Sequence, residues 1–245
     1  ILAHDNLKVA KMEGHTLPFS TVDVETARNH YETFSYEQNL DIENIEIRTH
    51  SAGHIPGSAM FEISKGSNTL ITGDINTVDT FLTEGVKPLK CDNLFIETTY
   101  AGRTHPDRKE LVKEFRDDVA DTVKRGGIAV IPAFAVGRSQ EALMMLENLG
   151  LNVYLDGMSK RISTLLLREP GFLRSAKDLK KALSKVKFVS SDVQRKKVLK
   201  SGRVIVTTSG MLDGGPALYY IKKIKDDEKN SVFLTGYQVE GSNGR

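Results

Sequence analysis

Ser51-Ala52-Gly53-His54-Ile55-Pro56-Gly57-Ser58 is the string that decides the fold, and Thr72-Gly73-Asp74 follows it about one hairpin later. In the first, a histidine is enclosed by glycines between polar and apolar runs. In the second, an aspartate comes directly after the strand-like segment Thr69-Leu70-Ile71. Imidazole and carboxylate both suit zinc, and a catalytic metal site needs its ligands held rigidly with one position open for water. By spacing alone, a hydrogen-bonded loop histidine and a turn aspartate explain such a pair more often than a metal does.

The neighbouring residues supply the context. From Asn44 the periodicity is two: Ile45 and Ile47 alternate with Glu46 and Arg48, then residues 59–63 and 69–72 follow, joined through Lys65-Gly66-Ser67-Asn68. That pattern predicts a strand, a histidine loop and a hairpin. Leu94-Phe95-Ile96 adds an apolar run that ends in Glu97. His50 stands four residues before His54, but Gly53 and the strand pattern rule out a helical histidine pair. Upstream, residues 1–12 carry a loose helical pattern through Leu2, Leu7, Val9 and Ala10. Ser20 or Thr21 caps a helix with Val24, Ala27, Tyr31 and Phe34 at helical spacing. His4, His15 and His30 are assigned to the surface or to local hydrogen bonds.

After Tyr100-Ala101-Gly102 the pattern changes to alternating strands and helices. Asp107-Arg108-Lys109-Glu110 has capping-box form, and Leu111, Val112, Phe115, Val119 and Val123 make a helical stripe that stops at Gly126-Gly127. Strand-like runs come at 128–134, 153–155, 187–190, 204–208 and 232–235, with helical stretches between most of them, for example 140–149. This alternation predicts a parallel sheet, whose ligands gather beyond the carboxyl ends of the strands. Those ends carry Ala135-Val136-Gly137-Arg138, Asp156-Gly157-Met158, Ser209-Gly210-Met211 and Gly236-Tyr237-Gln238. Glycine lets backbone N–H groups approach a phosphate, and Arg138 can make a forked contact. For any one loop, glycines that merely turn the chain explain the pattern as well.

Composition sets the bounds. The 245 residues suffice for one large domain or two ordinary ones, and no apolar run is long enough for a membrane span, so a cytoplasmic location is the default. The single cysteine, Cys91, excludes an intrachain disulfide framework and a thiolate cluster, so a metal site here needs His, Asp and Glu. The net charge of +2 carries no claim about nucleic acid by itself. Residues 177–200, however, hold Lys177, Lys180, Lys181, Lys185, Lys187, Arg195, Lys196, Lys197 and Lys200 with few acids between them. That segment reads either as a phosphate track or as a solvated helix face. No GxGxxG, GxxxxGK[ST] or GxSxG string occurs, which removes the usual signatures of dinucleotide folds, P-loop NTPases and serine hydrolases.

The ordered set SAGHIPGSAMF, LITGDIN, LFIETTYAGRTHPDR, IPAFAVGRSQE, VYLDGM, TTSGMLDGGP and GYQVEG resembles the β-CASP nucleases of the metallo-β-lactamase superfamily, and most closely archaeal proteins similar to the cleavage and polyadenylation specificity factor. The resemblance covers about residues 44–245. It implies an α/β fold: a partial metallo-β-lactamase domain of αββα type over 1–102, followed by a β-CASP domain with a mainly parallel sheet over 103–245. It further implies zinc-dependent hydrolysis of single-stranded RNA in 3′-end processing or decay, by a hydroxide held between two metal ions. His54 then matches a zinc ligand, Asp74 a bridging carboxylate, and Glu97 an acid that orients water or a ligand. Arg138, Ser209 and Gly210, with Lys196 and Lys197, are the expected RNA contacts. The HxHxDH string of the family is missing, so the chain reads as an internal piece of a longer protein whose other ligands lie elsewhere. A catalytically inactive RNA-binding scaffold subunit is the alternative. No membrane partner is implied; a homodimer or an RNA-processing complex is.

Overall fold

The computed structural model describes residues 2–201 and 203–245. Ile1, where the expected metallo-β-lactamase part was taken to begin, lies outside the described residues. The chain forms two compact units, the first ending at Gln38 and the second running from Asn39 to Arg245.

The first unit contains helices α1 (Leu2–Glu13) and α2 (Thr21–Arg28). Ser20 caps α2 as expected: its Oγ accepts the Asp23 N–H at 3.3 Å, and the Asp23 carboxylate accepts the Ser20 N–H at 2.7 Å. The helix is shorter than its apolar spacing predicts. The Asn29 N–H turns back to the Glu25 and Thr26 carbonyls and the His30 ring nitrogen meets Thr26 O at 2.8 Å, so the last turn is closed before Tyr31, which is exposed. No residue of α2 is buried, which removes the packing that would have extended it.

In the second unit, β1 (Asn39–Ile42), β2 (Ile45–Ser51), β3 (Ala59–Ser64), β4 (Asn68–Ile71) and β5 (Asn93–Phe95) form one sheet in that order. The pairs from β1 to β4 are antiparallel and β5 runs parallel to β4. Strand β1 is an addition to the expected hairpin, joined to β2 by Glu43 and Asn44, both with positive φ, the backbone that a two-residue hairpin turn demands. Ala52, Met60 and Leu70 make a small core with Ile75, Val86 and Cys91 packed against it. The cysteine is thus a packing residue.

The remaining strands, β6 (Ala129–Pro132), β7 (Val153–Asp156), β8 (Lys187–Phe188), β9 (Val204–Thr207) and β10 (Ser231–Val232), form a second sheet in the order β10-β6-β9-β7-β8, parallel throughout. Helix α3 (Arg108–Lys124) precedes β6, and between the strands run α4 (Arg138–Leu146), α5 (Ser159–Leu166), α6 (Ala176–Ser184), α7 (Asp192–Ser201) and α8 (Gly215–Ile224). Alternate strand residues go to opposite faces. Ala129, Ile131, Val204 and Val206 pack with Val119 of α3 and Leu143 and Leu146 of α4, whereas Val130 and Ile205 pack with Val198 of α7 and Tyr220 and Ile224 of α8. Helices therefore cover both faces, which is why these strands read as unbroken apolar runs. Each buried Val, Leu or Ile among them contributes roughly 1.5–3 kcal/mol relative to exposure. At the end of β7 the fully buried Asp156 accepts Arg195 Nε at 2.6 Å and Nη2 at 3.1 Å, and the Tyr220 hydroxyl at 2.9 Å. Burial pushes the Tyr220 phenol up, so it stays a donor.

Candidate active site

Because β2 and β4 both run antiparallel to β3, and β5 runs with β4, the carboxyl ends of β2, β4 and β5 share one edge of the first sheet. His54, Asp74 and Glu97 follow those three ends. The His54 Nε2 stands 3.8 Å from Asp74 Oδ2, with 39% of the histidine side chain and 70% of the aspartate accessible. That is too long for a hydrogen bond. Glu97 is half-buried, and its carboxylate accepts the Thr99 N–H at 2.8 Å. Hydrogen bonds from Thr99, then one from the Ile75 backbone and the nearby His54 ring, hold its pKa below the usual carboxylate value against the opposing effect of burial.

The loop that carries His54 is fixed by residues from a second loop, 76–86. The Gly53 carbonyl accepts Thr83 Oγ1 at 2.9 Å and Asn76 Nδ2 at 3.4 Å, and the Asn76 N–H donates to Ala52 at 3.0 Å. Gly53 has φ +67°, and a Cβ there would stand 2.5 Å from Asn76 O. No side chain can replace that hydrogen. Loop 76–86 is held in turn by the helical part: Glu141 of α4, 3% exposed, accepts the N–H groups of Phe81 at 3.0 Å and Leu82 at 2.9 Å and pairs with Arg108 of α3. Arg174 adds a donor to Thr80 O at 2.6 Å. Sequence reasoning missed Glu141, Asn76 and Thr83, since their partners lie 23 to 60 residues away and leave no local pattern.

His50, set aside as a ligand, is buried and bonded to Glu62 at 2.8 Å. Among the described residues no group of three or more His, Cys, Asp or Glu side chains is placed to hold a metal ion. The His54 and Asp74 donors fit zinc in kind, but they are two where a catalytic zinc takes three from protein.

Arg138 opens α4 immediately after Gly137, and a Cβ at Gly137 would come within 2.5 Å of Ile55 Cγ2, so this strand-end loop lies against the residue following His54. The Arg138 guanidinium is half-buried and, among the described residues, forms no hydrogen bond or ion pair. Burial pulls its pKa down, with Arg108 acting in the same sense and Glu141 and Tyr100 opposing. Ser209 and Gly210 lie in the loop after β9; Gly210 is buried, and a Cβ there would stand 2.9 Å from the Phe134 backbone nitrogen, so packing already requires that glycine. Lys196 and Lys197 are exposed on α7. The basic stretch around them is less free than its composition suggests: Arg195 is turned onto Asp156, Lys181 and Lys185 onto Glu147, and Lys187 onto Asn152.

Residues 139–245 match the Beta-Casp domain family. The chain is 39% identical over 257 aligned residues to "Probable RNase MJ4" of Methanocaldococcus jannaschii, a match spanning 100% of this chain and 60% of that protein. It is 36% identical to "RNase aCSPSF2" of Saccharolobus solfataricus, over 96% of this chain and 49% of the relative. Identity to "Transcription termination factor FttA" of Methanocaldococcus jannaschii is also 36%, over 100% of this chain and 42% of the relative. The chain therefore spans 60% or less of the length of these relatives.

Proposed function

The chain belongs to the β-CASP family, and from that premise we propose that its protein is a metal-dependent ribonuclease that hydrolyses phosphodiester bonds of single-stranded RNA in RNA processing. The observation that carries this reading is the His54–Asp74 pair, 3.8 Å apart beyond the ends of β2 and β4, which flank β3 in the first sheet, with Glu97 beyond β5. In this reading residues 1–102 serve the metal centre and residues 103–245 the RNA. His54 and Asp74 would hold zinc, with further ligands from outside these 245 residues. Bound zinc supplies Lewis acidity and a water acidic enough to yield hydroxide near neutral pH. The protein's own task is positioning. Glu97, fixed by Thr99, would accept a hydrogen bond from the attacking water or from a ligand imidazole. Arg138 would take the phosphate, and its desolvated guanidinium gives a stronger charge-assisted bond than a solvated one would. The Ser209-Gly210 loop, Lys196 and Lys197 would follow the RNA backbone.

The scaffold reading, RNA binding without cleavage, is the weaker of the two, because His54 and Asp74 are both present and adjacent. Metal content and cleavage test the proposal together. The whole protein should retain zinc through dialysis and cut labelled RNA, with both properties lost in His54→Ala, whereas the 245 residues alone should hold zinc weakly and cut nothing. Zinc content unchanged by His54→Ala would overturn the assignment.

A further inference from the structure

Three loops that follow different strands bring aromatic rings together beside Arg138. Tyr100 follows β5, Phe134 follows β6 and Tyr237 follows β10. The Tyr100 ring lies 4.5 Å from the His105 ring at an interplanar angle of 72°, and 5.6 Å from the Tyr237 ring at 86°. The Phe134 ring lies against Gly236, where a Cβ would come within 2.9 Å of Phe134 Cε2. Tyr100, Phe134 and Tyr237 are 38%, 38% and 41% exposed, and His105 is exposed as well.

An exposed aromatic ring is ordinary when it stands alone. Here four rings from three separate segments gather, and none of them belongs to a hydrophobic core cluster. The Phe115–Phe233 pair, by contrast, packs on the core. Edge-to-face contact stabilises the trio while leaving ring faces uncovered, since each such contact occupies one face or one edge only. Neither tyrosine hydroxyl makes a hydrogen bond among the described residues, so these rings are not held there by their polar ends. The partnerless Arg138 cation lies close enough to sense Tyr100, and Tyr100 is three residues beyond Glu97. A ligand that satisfies the whole patch needs a flat π-face and an anionic group within one nucleotide's reach. An unpaired nucleotide has both, and base stacking on aromatic side chains is how single strands are held regardless of sequence.

We propose that Tyr100 and Tyr237, buttressed by His105 and Phe134, form a stacking platform for an unpaired base of the RNA whose phosphate lies on Arg138. This subsite rests on the RNA reading given above and adds a base contact to its backbone contacts. It would select single strands, because a paired base has no free face to offer.

The test uses the whole protein with divalent metal removed by a chelator, so that no RNA is cut. Filter binding compares a short labelled single-stranded oligoribonucleotide with an abasic oligomer of equal length and charge. Tyr100→Ala and Tyr237→Ala should each weaken binding of the base-bearing strand by about 5- to 150-fold, the range of one stacked base, and leave the abasic strand unaffected. Tyr100→Phe and Tyr237→Phe should bind as the unaltered protein does, which separates loss of a ring face from loss of folding. Equal affinity of the unaltered protein for both strands would overturn the platform and leave the RNA reading standing. Binding of neither strand would overturn both.

Discussion

Removing the Glu141 carboxylate should unfasten the loop behind His54. Glu141 is buried, pairs with Arg108, and accepts the Phe81 and Leu82 N–H groups at 3.0 and 2.9 Å. Glu141→Ala leaves those two amides and the guanidinium without their acceptor in a site that water enters poorly. Breaking a buried, hydrogen-bonded pair from one side costs about 3–5 kcal/mol, and roughly 2–4 °C of Tm per kcal/mol in a unit of this size makes the drop about 6–20 °C. Arg108→Ala should cost less, because the carboxylate keeps its two amide donors and the Arg108 side chain is already 29% exposed. The assay is thermal unfolding of both variants, with backbone hydrogen exchange at Asn76 and Val86, whose N–H groups donate to Ala52 and Asn76 and should exchange faster in Glu141→Ala. A Glu141→Ala protein within about 1 kcal/mol of the unaltered one, or a larger loss in Arg108→Ala, would refute the reasoning.

Gly53→Ala should destabilise more than Gly57→Ala: both positions have positive φ, which costs an L-residue roughly 1–2 kcal/mol, but only at Gly53 does the added Cβ strike backbone, Asn76 O at 2.5 Å and Glu84 O at 2.9 Å. Comparing the two melting temperatures checks it. The Glu62 carboxyl is held below its ordinary value of 4.5, chiefly by its hydrogen bond with His50, so this stabilisation is fully present above 4.5 and is lost as pH falls through the lower folded value. Urea titrations across acid pH should therefore show the gap between the unaltered protein and Glu62→Gln closing in that window. Lys196→Ala with Lys197→Ala should flatten the salt dependence of RNA binding by about one to two phosphate contacts, each worth roughly 0.7 in a log-log slope, and an unchanged slope would make α7 a solvated face only.

How much of this was legible depended on the range of the interaction. The hairpin β3–β4, the Asp107 cap of α3 and the parallel sheet follow from local periodicity and turn chemistry, and the later strings, VYLDGM, TTSGMLDGGP and GYQVEG, lie within the residues 139–245 that match the Beta-Casp domain family. The overlong reading of α2 shows the limit: apolar spacing through Phe34 is real, yet no residue of the helix is buried. Arg195 looked like one more cation in a basic run, and only the fold brings it to Asp156, 39 residues earlier in the chain. The same holds for the site. His54 and Asp74 were visible as residue types at strand ends, whereas the loop 76–86 that fixes the His54 loop and the ring cluster around Tyr100 depend on contacts between distant segments.

The most direct test of the proposed site separates metal from substrate in the whole protein, measuring RNA affinity and RNA cleavage for Asp74→Ala and Arg138→Ala side by side. Asp74 lies within reach of His54 and, among the described residues, makes no hydrogen bond to the loops after β6, β7, β9 and β10, so Asp74→Ala should abolish cleavage and leave affinity nearly intact. Arg138→Ala should lose affinity first. An Asp74→Ala protein that loses most of its RNA affinity while Arg138→Ala binds normally would contradict the assignment of the two residues.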